Sequence, residues 1–259
     1  MKRWLYALAG LAAGVTVVVV VLRTPERVAQ CGTGFSPSGA RCLARPPCPP
    51  PLVTEGGDCV APDVRVVVPD TTMLLGPSDW EAEGLVAPRT LVVKRFAMDA
   101  FELTVAQAHP EAKEDRARAA GSLTRDEARA LCKQKGGRLP TEDEWIVAAA
   151  TSSARRYPWG DTGVVCRRAA FGLVDGPCAH GAAGPDTVAA HPDGDGALGI
   201  HDLAGNVAEW VESPGEARGV LRGGSYRSTL AADLRTWARA VVEPGVRDPS
   251  AGGRCAYDL

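Results

Sequence analysis

The amino-acid sequence predicts an α+β fold of low regular secondary structure. Three observations lead to this prediction. The chain of 259 residues contains 29 glycines, and few segments keep a regular hydrophobic periodicity over a long stretch. Short strand-like runs precede two helices with clear start signals. Gly, Asp and Pro are dense over residues 157–199, which predicts mostly loops there. We expect disulfides or ions, more than regular layers, to stabilise such a chain.

Composition restricts the possible function classes. The apolar content of 45% suits one sizeable domain with appendages, and the net charge of −2 gives no electrostatic reason to expect a nucleic acid as partner. The four histidines have no HExxH or similar metal-ligand spacing. The sequence therefore argues against a nucleic-acid-binding protein and against a zinc hydrolase.

Residues 1–23 predict a signal anchor, that is, a transmembrane helix. Lys2 and Arg3 precede an uncharged run over 4–22, which as a helix would span roughly 28 Å, close to the hydrocarbon thickness of a bilayer. The positive start favours a cytoplasmic N-terminus, so the rest of the chain is expected to be extracytoplasmic, periplasmic or at the cell surface. A cleavable signal peptide is the alternative, although no small-residue cleavage site ends the run.

A cysteine-rich segment over 31–60 contains a short internal repeat. Two C-x10-C units, Cys31 to Cys42 and Cys48 to Cys59, share an apolar fifth residue, a glycine at the ninth place and an apolar-Ala pair after the second cysteine. Each unit is too small to bury a core, so we expect a disulfide within each, although four cysteines allow three connectivities. The segment is interpreted as a spacer between the membrane and the main domain.

The main domain is predicted over 64–259. Its first strand-like runs cover 65–68, 73–75 and 91–98. Two S/T-x-x-E segments, beginning at Thr124 and Thr141, have the form of a capping box, in which two side chains satisfy free backbone N–H groups at a helix start. The first helix is predicted to end near Gln134 and the second near Ala150.

Six ordered sequence blocks give the main domain a family resemblance. The blocks are Leu131-Cys132, Gly137-Arg-Leu-Pro-Thr-Glu-Asp-Glu-Trp145, Tyr157-Pro-Trp-Gly-Asp161, Gly199-Ile-His-Asp-Leu-Ala-Gly-Asn-Val-Ala-Glu-Trp210, Arg222-Gly-Gly-Ser-Tyr226 and Gly252-Gly-Arg-Cys255. Their order resembles that of the formylglycine-generating enzyme, or sulfatase-modifying factor, family. The resemblance implies the family's fold, a compact α+β domain related to C-type lectin-like folds.

The resemblance also implies where an active site would lie. Active members oxidise a sulfatase cysteine to formylglycine with copper held by two cysteines, and those positions are Ser228 and Asp233 here. A hydroxyl and a carboxylate are hard ligands with little affinity for cuprous copper, so copper is not expected. Ser225 matches a pocket serine of the family. Ser225, Ser228 and Asp233 are therefore the predicted pocket residues of a pseudoenzyme.

A structural calcium ion is a further implication of the resemblance. The predicted ligands are two side chains and two backbone carbonyls, those of Asp202, Glu209, Gly205 and Val207. Such a set of hard oxygen ligands suits calcium. The alternative is that the two acidic residues only cap turns and pair with arginines.

The resemblance pairs Cys132 with Cys255, which leaves Cys166 and Cys178 to pair with each other. No thiol would then remain for chemistry. The favoured interpretation is a noncatalytic, membrane-anchored module that binds an extracytoplasmic protein, peptide or glycan in the groove of the former active site. The alternatives are a formylglycine-generating oxidase and a structural or assembly protein of the envelope.

Overall fold

The computed structural model describes residues 30–32, 35–38, 41–44, 46–76 and 87–259. The chain divides into two compact units, Met1–Pro47 and Cys48–Leu259. No helix within the described ranges is long and apolar enough to cross a membrane. The predicted anchor over 1–23 lies outside those ranges and stays a prediction.

The first unit contains one disulfide-bonded hairpin. Strand β1 (Phe35–Ser38) pairs in antiparallel fashion with β2 (Arg41–Ala44), and Cys31 is bonded to Cys42. A two-stranded hairpin of this size has too little apolar surface to be stable alone. The disulfide is therefore the principal cross-link of this unit.

The second hairpin belongs to the main unit. Strands β3 (Val53–Glu55) and β4 (Asp58–Val60) pair in antiparallel fashion, and Cys48 is bonded to Cys59. Leu52 is 8% exposed and belongs to a buried apolar cluster with Phe101. The compact unit thus begins at Cys48, whereas the sequence division placed this hairpin in the spacer.

Four strands follow the hairpins. They are β5 (Arg65–Val68), β6 (Thr71–Leu75), β7 (Arg89–Val93) and β8 (Phe96–Asp99). The strand predicted over 65–68 is confirmed, and 73–75 lies within β6. The run predicted over 91–98 is two strands, because the chain turns at Arg95, whose N–H donates to the Asp70 carboxylate at 3.2 Å.

Three α-helices are present in the described residues. They are α1 (Val105–Ala108), α2 (Arg125–Gln134) and α3 (Glu142–Ala150). Both predicted helices are confirmed, and the side chains of Thr124 and Thr141 accept hydrogen bonds from the N–H groups of Glu127 and Glu144, as a capping box requires. The single turn α1 was not predicted.

The C-terminal part supplies five short strands and few other regular elements. The strands are β9 (Ala208–Val211), β10 (Gly219–Arg222), β11 (Arg239–Val242), β12 (Ala251–Gly252) and β13 (Ala256–Asp258). One sheet has the order β11-β10-β9-β12 and another the order β13-β8-β5. Over 157–199 one short 3-10 turn interrupts loops, which confirms the predicted loop region.

The core joins α2 and α3 to the C-terminal strands. Trp145 of α3 and Trp210 of β9 are fully buried, and the buried disulfide Cys132–Cys255 links α2 to the segment before β13. The fourth disulfide is Cys166–Cys178. All four predicted disulfides are therefore confirmed, and the sparse helices and short sheets agree with the predicted α+β class.

Candidate functional site

One loop after β10 contains the three predicted pocket residues. Gly224 has a φ of 69°, and a Cβ atom there would lie 2.9 Å from the carbonyl oxygen of Asp233, so the turn requires glycine. The loop leaves Ser225 buried, Ser228 half-buried and Asp233 exposed. The chain thus brings the expected positions together on one side of β10.

The serine hydroxyls are used inside this loop. The Ser225 N–H donates to Ser228 Oγ at 3.1 Å, and the Ser228 N–H donates to the Ser225 carbonyl at 3.0 Å. Ser225 Oγ accepts from the Arg227 N–H at 3.3 Å. Ser228 therefore closes a turn with Ser225.

No thiolate is available to this loop. All eight cysteines are in disulfides. Within the described ranges, no group of three or more His, Cys, Asp or Glu side chains has the arrangement of a metal site.

A second set of predicted residues forms a buried charged cluster. This cluster, called the Glu209 cluster, consists of Glu102, Asp202, Asn206, Glu209 and Arg254, all at most 8% exposed. A tight turn at Gly205 builds it: φ is 86°, and a Cβ atom would lie 2.4 Å from the Ala170 carbonyl oxygen. The turn places the predicted calcium-binding block beside the last strands.

Within the Glu209 cluster, Arg254 donates its hydrogen bonds to Glu209, and it also donates to backbone carbonyls beside the cluster. Its guanidinium donates to both carboxylate oxygens of Glu209, from Nη2 at 2.5 Å and from Nε at 2.9 Å. It also donates to the carbonyl oxygens of Ala100 and His201, at 3.2 and 2.8 Å. Trp145 Nε1 donates to Glu209 at 2.7 Å. Glu209 is thus paired with a protein cation.

Glu102 is a member of the cluster that the sequence analysis did not select. Its carboxylate accepts from the Asn206 side chain at 2.6 Å and from the Val207 N–H at 3.0 Å. Burial raises the pKa of Glu102 well above its ordinary value, and the charges of Asp202 and Glu209 add to the effect. The residue lies in the segment Phe101-Glu-Leu-Thr104, outside the six sequence blocks, so none of those motifs pointed to it.

The predicted calcium ligands are only partly suited to the ion. Three buried carboxyl groups, those of Glu102, Asp202 and Glu209, interact with one guanidinium. Burial raises the pKa of Glu102 and of Asp202, so a divalent cation would have to displace the protons that burial favours on them. Both oxygens of Glu209, however, already accept from Arg254, and Asp202 accepts from the Ala189 N–H at 2.5 Å. Calcium binding therefore stays a prediction, and Glu209 is its weakest ligand.

A broad cavity of about 780 Å³ lies on another face of the main unit. Apolar groups from β6, β7 and Trp237 form one part of it, and charged groups form the other. The charged residues are Arg89, Lys94, Glu142, Asp143, Glu144, Arg222 and Arg239. The cavity is not lined by Ser225, Ser228 or Asp233, so it differs from the groove expected at the former active site.

Glu142 organises the floor of this cavity. Its carboxylate accepts from Arg222, from Arg239 Nε at 2.7 Å and from Ser213 Oγ at 2.6 Å. Burial alone would raise the pKa of Glu142, but Arg222, Ser213 and Arg239 together hold it below its ordinary value. At neutral pH this floor is therefore a fixed ionised network.

Lys94 lies at the same cavity. The described residues include no ion pair to its ammonium group, and the residue is exposed. By contrast, Arg89 is bound to Asp143, from Nη1 at 3.1 Å. Among the residues that the structure describes, the Lys94 ammonium is thus an unpaired cation beside apolar surface.

Comparison with known proteins places this geometry in a family. Residues 122–259 match the model of the sulfatase-modifying factor enzyme 1-like domain. Hercynine oxygenase of Mycolicibacterium thermoresistibile is 36% identical over 53% of the chain and 35% of its own length. Inactive C-alpha-formylglycine-generating enzyme 2 of Bos taurus is 35% identical over 51% of the chain and 47% of its own length. The chain thus spans less than half of each of these two relatives.

A solved structure supports the fold across a larger share of the chain. Variable protein 1 of Treponema denticola superposes with a TM-score of 0.62, covering 80% of this chain and 98% of its own, at 18% identity. That identity supports the fold alone. Because the family model covers more than half of the chain, the protein belongs to the sulfatase-modifying factor enzyme 1-like domain family.

Proposed function

We propose that this protein is a noncatalytic binding module of its family. The observation that carries the proposal is the former active-site loop: Ser228 and Asp233 occupy the two expected copper positions, and Ser228 Oγ accepts from the Ser225 N–H at 3.1 Å. Cuprous copper prefers soft thiolate ligands. With every cysteine in a disulfide, the loop has a structural role.

Likeness to relatives does not decide between catalysis and binding. The chain is similar to a protein named as an oxygenase and, at nearly the same identity, to one named as inactive. The residues of the loop are the support for this proposal. They favour the noncatalytic role because they remove the copper ligands and leave the surrounding fold intact.

An extracytoplasmic, membrane-anchored location is part of the proposal. Four disulfides support an oxidising compartment, because thiols are kept reduced in the cytosol of most cells. The uncharged run over 4–22 supports the anchor. The main unit would then face partners outside the cytoplasm.

The ligand would bind in the cavity over Glu142. A volume of about 780 Å³ lies within the range of roughly 300–1,000 Å³ that is usual for ligand sites. Lys94 offers an ammonium group that has no ion pair within the described ranges, and Val92 offers exposed apolar surface. This combination suits a peptide or glycan with an acidic group, held by charge at one end and by apolar contact along its length.

Two measurements test the proposal. The disulfide-intact protein is offered cuprous copper and a cysteine-containing sulfatase peptide, with an active formylglycine-generating enzyme as positive control. We expect no stoichiometric copper and no formylglycine. Stoichiometric copper with conversion of the peptide would contradict the noncatalytic role and support the oxidase alternative.

The second measurement locates the ligand site. The protein is screened against acidic peptides and glycans, and each hit is measured again with Lys94→Glu and with Lys133→Glu, a matched change on the exposed side of α2. We expect Lys94→Glu to weaken binding at least tenfold and Lys133→Glu to leave it unchanged. Equal effects, or no hit at all, would favour a purely structural protein of the envelope.

A further inference from the structure

Strand β11 is an outer strand that begins at the cavity over Glu142. In the sheet β11-β10-β9-β12 it pairs with β10 along one edge only. Its first residue, Arg239, lines the cavity, as does Trp237 just before the strand. The edge of β11 that faces away from β10, called the outer edge, therefore starts where the ligand cavity ends.

The backbone of β11 has hydrogen-bonding groups to spare. In an antiparallel ladder, alternate residues direct their N–H and C=O groups to the neighbouring strand, and the residues between direct theirs away from it. The hydrogen bonds of β11 run to β10 through the backbone, and to Glu142 and Ser213 through the Arg239 side chain. Within the described ranges, no other segment bonds to the outer edge. Its outward groups are therefore able to pair with another extended chain.

The side chains of β11 leave the outer edge accessible. Arg239 and Ala240 are exposed, and Val241 and Val242 are half-buried. Many edge strands are protected against pairing by a proline or by charged side chains along their length. The single charge of β11 lies at its cavity end, where Arg239 Nε donates to Glu142 at 2.7 Å. The rest of the strand is alanine and valine, which do not prevent pairing.

A second outer strand shows what the cavity adds. Strand β5 is the outer strand of the sheet β13-β8-β5, and its sequence Arg-Val-Val-Val is close to the Arg-Ala-Val-Val of β11. Among the described residues that line the cavity over Glu142, none belongs to β5. An outer strand alone indicates no ligand, because every open sheet has one. The indication comes from the continuity of β11 with the cavity.

We propose that the ligand of the cavity is an extended peptide of a partner protein, which pairs with the outer edge of β11 as an additional strand and places an acidic side chain in the cavity. In this mode of recognition, main-chain hydrogen bonds supply affinity and side-chain pockets supply specificity. Lys94 supplies the cation for the acidic side chain. The inference rests on the proposed function and selects the peptide over the glycan, because a glycan has no regular series of backbone amide groups.

Backbone N-methylation of a bound peptide tests the pairing. A library of short peptides rich in valine, isoleucine and threonine, each with one glutamate, is screened against the full chain with its disulfides intact. The tightest binder is remade with one N-methyl group at a time, which removes one backbone donor and keeps every side chain. We expect about tenfold weaker binding at alternate positions and little change at the positions between. A loss without this alternation, or no loss, would overturn the proposal.

Hydrogen exchange locates the pairing on the protein. With saturating peptide, we expect amide exchange to slow within Arg239–Val242 and to stay unchanged within Arg65–Val68, the matched outer strand. Equal slowing in both strands would contradict pairing at β11. Slower exchange in β11 that increases with protein concentration in the absence of peptide would assign the outer edge to a second copy and would also overturn the proposal.

Two outcomes separate this inference from the proposed function. A peptide that Lys94→Glu weakens, but that leaves exchange in β11 unchanged, would overturn strand pairing and leave the cavity as the ligand site. An acidic glycan as the sole Lys94-dependent ligand would do the same. If neither peptides nor glycans bind, the proposed function and this inference both fail.

Discussion

Arg254 and Glu209 form an ion pair that solvent does not reach: Nη2 and Oε1 lie 2.5 Å apart, and the two side chains are 0% and 1% exposed. The pair joins β9 to the segment that carries Cys255. A buried ion pair adds little compared with an apolar pair, but loss of one partner leaves the other charge buried and uncompensated. Removal of either residue should therefore lower the free energy of unfolding, because the other charge would stay buried without its partner.

Removal of Arg254 should therefore be severely destabilising. We expect Arg254→Met to lower the free energy of unfolding by about 3–5 kcal/mol, because Glu209 would be left without its cation in a cluster of carboxylates. Urea denaturation of the disulfide-intact protein measures this change. Arg218→Met, at a side chain that is 57% exposed, is the control and should change stability little. Similar midpoints for both variants would contradict the importance of the pair.

Calcium is tested at the same cluster. If the ion binds the carboxyl groups of this cluster, then at a concentration of 100 times Kd it should stabilise the protein by about 2.7 kcal/mol, or raise Tm by roughly 5–10 °C. We expect Asp202→Asn to abolish that increase. Thermal unfolding in calcium and in EGTA, with metal analysis of the purified protein, provides the readout. Identical Tm values in both buffers would show that Arg254 alone serves as the cation.

The capping box of α2 should make stability depend on pH in the acid range. The Arg247 side chain and the Thr124 N–H lower the pKa of Glu127 to about 2, from an unfolded value of about 4.3. Because the folded pKa is depressed, this contribution is fully present above the unfolded pKa and is lost as pH falls toward 2. We expect Glu127→Gln to have a smaller loss of stability between pH 5 and pH 2.

A matched variant separates the cap from the ion pair. Thr124→Ala removes the side-chain acceptor of the box and should cost about 1 kcal/mol, with most of the pH dependence retained through Arg247. Denaturation curves at several pH values compare the two variants. Equal pH dependence in Glu127→Gln and the parent protein would show that other carboxylates control the acid range.

Disulfides that close chain loops of different length should contribute unequally to the free energy of unfolding. Cys132 and Cys255 are 123 residues apart in sequence, whereas Cys166 and Cys178 are 12 apart. If a disulfide acts by reducing the conformational entropy of the unfolded chain, the longer loop should stabilise the folded state by about 4.7 kcal/mol and the shorter one by about 3 kcal/mol. We expect the Cys132→Ala/Cys255→Ala protein to unfold at lower urea concentration than the Cys166→Ala/Cys178→Ala protein. The reverse order would contradict a dominant role for the long cross-link.

Local signals in the sequence sufficed for part of the fold. The boxes at Thr124 and Thr141 predicted both longer helices, because a capping box is complete within four residues. The break between β7 and β8 was missed, since it depends on Asp70, which is 25 residues away from Arg95. The docking of Leu52 on Phe101 was missed for the same reason.

The candidate sites were predictable only where a motif had a fixed spacing. Ser225, Ser228 and Asp233 follow one motif and do share one loop. Lys94 and Glu142, by contrast, meet in one cavity from distant parts of the chain, so no local pattern joins them. Glu102 lies outside the six sequence blocks, and its partners Asn206 and Val207 are more than 100 residues away.

The burial of residues 254–257 also determines the order of events during synthesis. Arg254, Cys255, Ala256 and Tyr257 are all at most 5% exposed. The ribosome adds them after Cys132 and Glu209, so the Glu209 cluster, the long disulfide and the sheet of β13, β8 and β5 cannot be completed before this late segment has been made. The Glu209 carboxylate therefore waits for Arg254, and the Cys132 thiol for Cys255, before the core can close.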